Sequence, residues 1–173
     1  MADLIAVVYD SEARAEEVRN RILSMTKDYI IDIGDAVIAT RAEPGRVKLN
    51  QLLNTTAAGA AGGSFWGLLV GVLFMNPLVG VAAGAATGAL AGALSDVGVN
   101  DRFMKGLADD KVEVGESVLF LLVNRMTADK VMKELHGIGG RILQTSLDLT
   151  REDALRRALD GDVATEAAAA KAS

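Results

Sequence analysis

His136 is the only imidazole in the 173-residue chain, and there is no cysteine at all. That inventory excludes a multi-histidine metal centre, a thiolate nucleophile, a disulfide and a Cys-ligated metal within one chain. His136 falls at the end of a helical pattern carrying Val131 and Leu135, a place where an imidazole commonly meets terminal carbonyls, so it is assigned no chemistry. Gly137-Ile138-Gly139-Gly140 has the small residues of a phosphate loop. It follows a helix and precedes a strand, however, whereas dinucleotide-binding glycines follow a strand and open a helix. A turn is the reading. The acids Asp109, Asp110, Glu113 and Glu116 could meet a cation, but Lys111 sits among them and calcium-loop spacing is absent, so they read as a solvated connector. The sequence therefore points to no catalytic, cofactor-binding or metal-binding residue, and a non-enzymatic protein with no cofactor is expected.

A different pattern dominates the chain. Residues Leu49 to Ser95 carry no charge, are split by Asn76-Pro77, and hold glycines at every fourth position: Gly59, Gly63, Gly67 and Gly71, then Gly80, Gly84, Gly88 and Gly92. Four-residue spacing keeps such a row close to one face of an α-helix, so a second backbone can approach it closely. Each glycine costs a helix about 1 kcal/mol relative to alanine, and two rows in register imply that tight helix contacts recover the cost. The expected element is a glycine-zipper helical hairpin spanning 55–95, with Asn76-Pro77 as its turn, because proline cannot continue a helix but suits the first turn of the next.

The elements that would carry this hairpin lie in the charged flanks. Leu4 to Tyr9 is a short apolar run, followed by Asp10-Ser11 as caps and by Ala15, Val18, Ile22 and Met25 at helical spacing. Ile30 to Thr40 is again strand-like, Glu43-Pro44-Gly45 is a turn, and Val47-Lys48-Leu49 alternates. Beyond the uncharged stretch, Asn100 or Asp101 can cap a short helix with Phe103, Met104 and Leu107 on one side. Ser117 to Val123 is a nearly continuous apolar run, as expected of a central strand covered on both faces or at an interface. Thr127 can cap a helix that Gly137 ends, and Arg141 to Leu147 reads as a last strand.

The flanks resemble each other, each being strand, helix, strand. The fold expected is α+β, a ferredoxin-like duplicated βαβ with an inserted glycine-zipper hairpin, in which two helices cover one face of the sheet. Its parts are 1–40 and 117–150 as the two halves of the ferredoxin-like domain, 41–116 as the insertion, and 151–173 as a terminal helix and flexible tail. The core patterns lie outside 57–95, so the head is expected to fold without the hairpin.

The net charge of -5 argues against a nucleic-acid partner, because phosphate binding rests on clustered Lys and Arg. Met1 to Asp10 carries an early acid and lacks a basic region, so it does not read as a signal peptide. Ala57 to Met75 and Leu78 to Ser95 would each span about 27–29 Å as helices, close to the hydrocarbon core of a bilayer. A re-entering hairpin in the bacterial inner membrane with its soluble domain in the cytoplasm is one outcome. The other is a cytoplasmic oligomer with both helices in its dry centre. A mean hydropathy of +0.27 leaves both open. Trp66 is either an interfacial anchor or a packing residue against a neighbouring helix.

The run Leu52 to Gly71, with its Ser64-Phe65-Trp66-Gly67, the Asn76-Pro77 turn, Ser95-Asp96-Val97-Gly98-Val99 and Gly139 to Leu147, with its Leu143-Gln144-Thr145-Ser146, resembles a bacterial family filed as domain of unknown function 1269. The resemblance covers nearly all of residues 3–159. It implies a predicted membrane protein, discussed alongside stress-related genes, with no established catalytic residues.

Function is accordingly expected to be self-assembly: a homo-oligomer joined through the zipper helices, with membrane lipid as a partner, acting as a stress-related scaffold or membrane-integrity factor. The alternative is a soluble homo-oligomeric small-ligand-sensing module with the hairpin buried in the oligomer core, a reading that rests on fold analogy. A pore ranks below both, since the zipper lacks the charged ring of a selective filter.

Overall fold

The computed structural model describes residues 2–43, 46–51, 59–74, 99, 101–109 and 111–161. The chain is α+β, with a five-stranded antiparallel sheet and, among the described residues, five helices. Strands β1 (Asp3–Tyr9), β2 (Ile31–Glu43), β3 (Arg46–Gln51), β4 (Ser117–Met126) and β5 (Arg141–Thr145) lie in the order β3-β2-β4-β1-β5. Helices α1 (Glu12–Lys27), α2 (Gly59–Leu73), α3 (Asp101–Asp109), α4 (Ala128–Glu134) and α5 (Leu149–Asp160) complete it. Strand β4 lies between β1 and β2, and β1 lies between β4 and β5, so each strand-helix-strand half straddles a strand of the other.

The central strands are apolar on both faces because both faces are covered. Successive side chains of a strand point to opposite sides. Ile5, Val7 and Tyr9 of β1, with Leu119, Leu121 and Val123 of β4, therefore meet Val18, Ile22, Val131 and Leu155 from α1, α4 and α5. The alternate residues Leu4, Ala6, Val8, Val118 and Phe120 face a second core. That core is completed by Trp66, Leu69, Val70 and Leu73 of α2, Phe103 and Leu107 of α3, and Val99 and Val112. The sequence accounts for helices on one face of the sheet; the glycine-rich helix covers the other. A 15-residue helix of this kind has nowhere to hide its apolar surface unless it packs, and the bare side of a two-sided apolar sheet offers the area.

Helix ends follow local chemistry. The Ser11 hydroxyl accepts from the Arg14 N–H at 3.2 Å to start α1, and the Asp148 carboxylate accepts from the Arg151 N–H at 3.0 Å to start α5. Helix α1 ends with Ile30 N–H donating to Met25 and Tyr29 N–H to Thr26, which puts Tyr29 at φ +55°, the left-handed position that glycine usually fills. The sheet runs past residue 40: β2 continues to Glu43 and pairs with β3. Lys48 pairs with Glu12 at 3.0 Å, and Asn50 donates to Glu16 at 2.7 Å, tying the edge strand to α1.

One irregularity bears on the site. Between β2 and β4 the register breaks between Asp32 and Ile33 and again between Ile33 and Asp35, leaving Gly34 and Asn124 outside the paired positions. Ile31 and Ile33 pack with the first core, whereas Val37 and Ala39, of the same parity, belong to the second. A bulge of this kind re-aims the side chains that follow it. Without it, Asp35 would point among the residues facing α1.

Candidate functional site

Helix α2 carries no charged residue, and Ser64 is its only non-glycine polar residue. Apolar surface therefore surrounds it on every side. Its buried positions, Trp66, Leu69, Val70 and Leu73, recur at the i, i+3, i+4 and i+7 spacing of a single helical face, with Leu69 0% exposed and Trp66 3%. That face lies on the sheet. The Trp66 ring stands 5.9 Å from Phe120 of β4 and makes an edge contact at 4.9 Å with Phe65. Its indole N–H donates to Oδ2 of Asp35 at 2.8 Å, while Oδ1 of the same carboxylate accepts from the Ala36 N–H at 2.8 Å. A buried indole needs such a partner, since leaving the N–H unpaired costs about 1–3 kcal/mol. Trp66 thus packs on the strands of its own sheet; the second zipper row lies outside the described residues.

The remaining sides of α2 carry Gly67, Leu68, Gly71 and Val72, all half-buried. A four-residue step advances about 40° beyond a full turn, so the glycine row winds around the helix instead of following one line. By Gly67 the row has left the side that faces the sheet. Among the described residues, a Cβ built on Gly67 would meet nothing within 4 Å. Helix α3 closes on the sheet quite differently: a Cβ at Gly106 would overlap the side chain of Gln144 on β5. The two glycines differ in surroundings, the end of the Gln144 side chain at Gly106 and, among the described residues, an open flank at Gly67.

Gly59 and Gly63 lie in the first turns of α2, whereas Asn76, Pro77, Gly80, Gly84, Gly88 and Gly92 lie outside the described residues. The residues that sequence reasoning missed are Asp35 and Phe120. A signal for Asp35 existed in Gly34-Asp35, a bulge-prone glycine and an acid inside the apolar run of β2.

The motifs considered for chemistry are engaged elsewhere. The Gly137 N–H donates to Ala158 and the Gly139 N–H to Leu159, so these amides close the end of α5. Gly140, at φ +108°, lies where a Cβ would come within 2.7 Å of Val7 and 2.8 Å of Tyr9, a close approach that requires glycine. His136 is exposed at the end of α4. The Glu116 carboxylate accepts from the Glu113 N–H at 2.8 Å, and among the described residues no cluster of acids or histidines could hold a metal ion. Burial pushes the Tyr9 phenol up to about 12, against a smaller opposing pull from Arg14. At the far end of the sheet an open groove of about 770 Å³ is lined by Thr26, Tyr29, Asp32, Arg125 and Thr127 among others.

Among the described residues no helix is long and apolar enough to cross a membrane. Residues 60–160 match the family described as Protein of unknown function (DUF1269), and the chain belongs to that family. No curated protein and no solved structure matches the chain.

Proposed function

We propose that this member of the family is a non-enzymatic self-assembling protein, in which copies join through the glycine row of α2 while the opposite face of that helix stays on its own sheet. The observation that carries the reading is the open flank at Gly67 on an otherwise apolar helix. Glycine there weakens the helix by about 1 kcal/mol relative to alanine without any described intrachain neighbour needing the space, which fits close approach by another helix. Its frame is the ferredoxin-like duplicated βαβ, a reading supported by the interleaved strand order. The second glycine row, Gly80 to Gly92, would supply the other half of the zipper, and the uncharged outer flank of α2 fits association with the bacterial inner membrane, the sheet remaining on the cytoplasmic side. The role is that of a scaffold or membrane-integrity factor under stress.

Gly67→Leu tests this directly. Among the described residues a Cβ at Gly67 meets nothing within 4 Å, so the sheet and its helices should still fold, but the added side chain holds a second helix off and the assembly is lost in size measurements and crosslinking. An unchanged assembly refutes the reading. A second reading, a soluble oligomer that senses a small ligand, draws on two observations: the Trp66 face of α2 is occupied by the sheet, and the groove beside Tyr29 has ligand-sized volume. Retention of the native chain in membranes through high salt and carbonate favours the first environment; recovery as a detergent-free oligomer favours the second.

A further inference from the structure

An apolar helix with no polar side has little to choose its rotation. The side bearing Phe65, Leu68 and Val72 also offers apolar area to the sheet, hydrophobic burial is non-directional, and the helix carries no charged residue to keep one side outward. Among the described residues one directional contact holds the observed rotation, the Trp66 Nε1 to Asp35 Oδ2 hydrogen bond at 2.8 Å. The acceptor is set in place by the chain itself. The irregular register around Gly34 changes the side-chain alternation of β2, and the second Asp35 oxygen is held by the Ala36 N–H. Space at the bulge is tight, for a Cβ on Gly34 would sit 3.2 Å from Asn124 Oδ1 and 3.2 Å from Leu122 Cδ2.

We infer that Asp35 is the positioning residue that sets the rotation of α2, and so decides which side of the helix, the one bearing Gly67, is left for a partner. The consequence for assembly rests on the reading proposed above; the rotation does not. A rotation of one residue, about 100°, that brings Gly67 toward the sheet would bury the open glycine flank and turn Leu69 and Leu73 outward. Hydrophobic association would survive such a change, but close backbone approach would be lost. Asp35 thus supplies specificity to a helix whose composition supplies only stickiness.

The chain has no cysteine and one tryptophan, so single cysteines and Trp66 emission are clean reporters. Thiol labelling is compared at Leu68→Cys, on the half-buried side, and at Leu69→Cys, on the fully buried side, in the detergent-dispersed full chain. With Asp35 present, Leu68→Cys should label roughly tenfold faster or more, because a buried site reacts only through local opening. Asp35→Asn, which keeps an acceptor oxygen, should preserve the ratio. Asp35→Leu should reduce it to about twofold or less and shift Trp66 emission, while the unfolding transition of the head persists. Trp66→Phe removes the donor instead and should reduce the ratio in the same way, which decides the matter if Asp35→Leu does not fold. Near-equal labelling with Asp35 present, or a ratio unchanged by both Asp35→Leu and Trp66→Phe, overturns the inference. A lost ratio with an assembly that Gly67→Leu leaves intact upholds the rotation and rejects the zipper instead.

Discussion

Leu69→Ala should destabilise the head far more than Leu68→Ala, although the two leucines are neighbours on one helix. Leu69 is 0% exposed and sits in the second core with Trp66, Phe120 and Val37, where truncation removes transfer energy and leaves a cavity worth about 2–5 kcal/mol in all. Leu68 is half-buried on another side of α2, and its truncation should cost about 1 kcal/mol or less. For a chain of this size each kcal/mol moves the midpoint by about 2–4 °C. Leu69→Ala should therefore lower Tm by about 10 °C, and Leu68→Ala by no more than about 4 °C. The assay is thermal unfolding followed by circular dichroism and by emission of the single tryptophan, which lies in the same cluster. Repeating it at several protein concentrations separates the fold from assembly, because binding to the native state raises Tm with concentration. Equal shifts for the two variants, or a larger one at Leu68, would refute the seating of α2 on the sheet.

Deleting residues 57–95 should yield an aggregating or unfolded chain, since the four buried side chains of α2 each contribute about 1.5–3 kcal/mol, comparable in sum with the whole stability of a domain; a soluble, cooperatively unfolding head measured by calorimetry would contradict this. Tyr9 makes stability fall at high pH: the unfolded phenol ionises near 10 and the folded one near about 12, so the unfolded state sheds its proton first and up to about 2–3 kcal/mol is lost between those values. Denaturant titrations of the wild type and Tyr9→Phe at pH 9 and pH 11.5 should differ in slope with pH, and parallel curves would remove the effect from Tyr9. His136→Ala should leave assembly unchanged and shift stability by less than about 0.5 kcal/mol, as expected for an exposed side chain; loss of cellular function with normal folding would point to chemistry at that imidazole.

Local patterns made most elements legible. Apolar runs marked β1 and β4, and the spacing of Ala15, Val18, Ile22 and Met25 marked α1, because periodicity is a property of neighbouring residues. The continuous apolarity of Ser117 to Val123 also announced a strand covered on both faces or at an interface, and the fold covers both faces. The sequence by itself determined, moreover, that the uncharged stretch must be covered by something, since no ordinary soluble surface carries so much unbroken apolar area. It could not identify the cover. Hydrophobic burial is proportional to area and indifferent to partner, so lipid, a second copy and the far face of the chain's own sheet all satisfy Trp66, Leu69, Val70 and Leu73 equally in one dimension. Only the tertiary structure decided among them for that face, by bringing β2 and β4 under α2 and by turning Asp35 toward an indole 31 residues away. That choice is directional, and direction arises from hydrogen-bond geometry between distant segments, which no local pattern encodes.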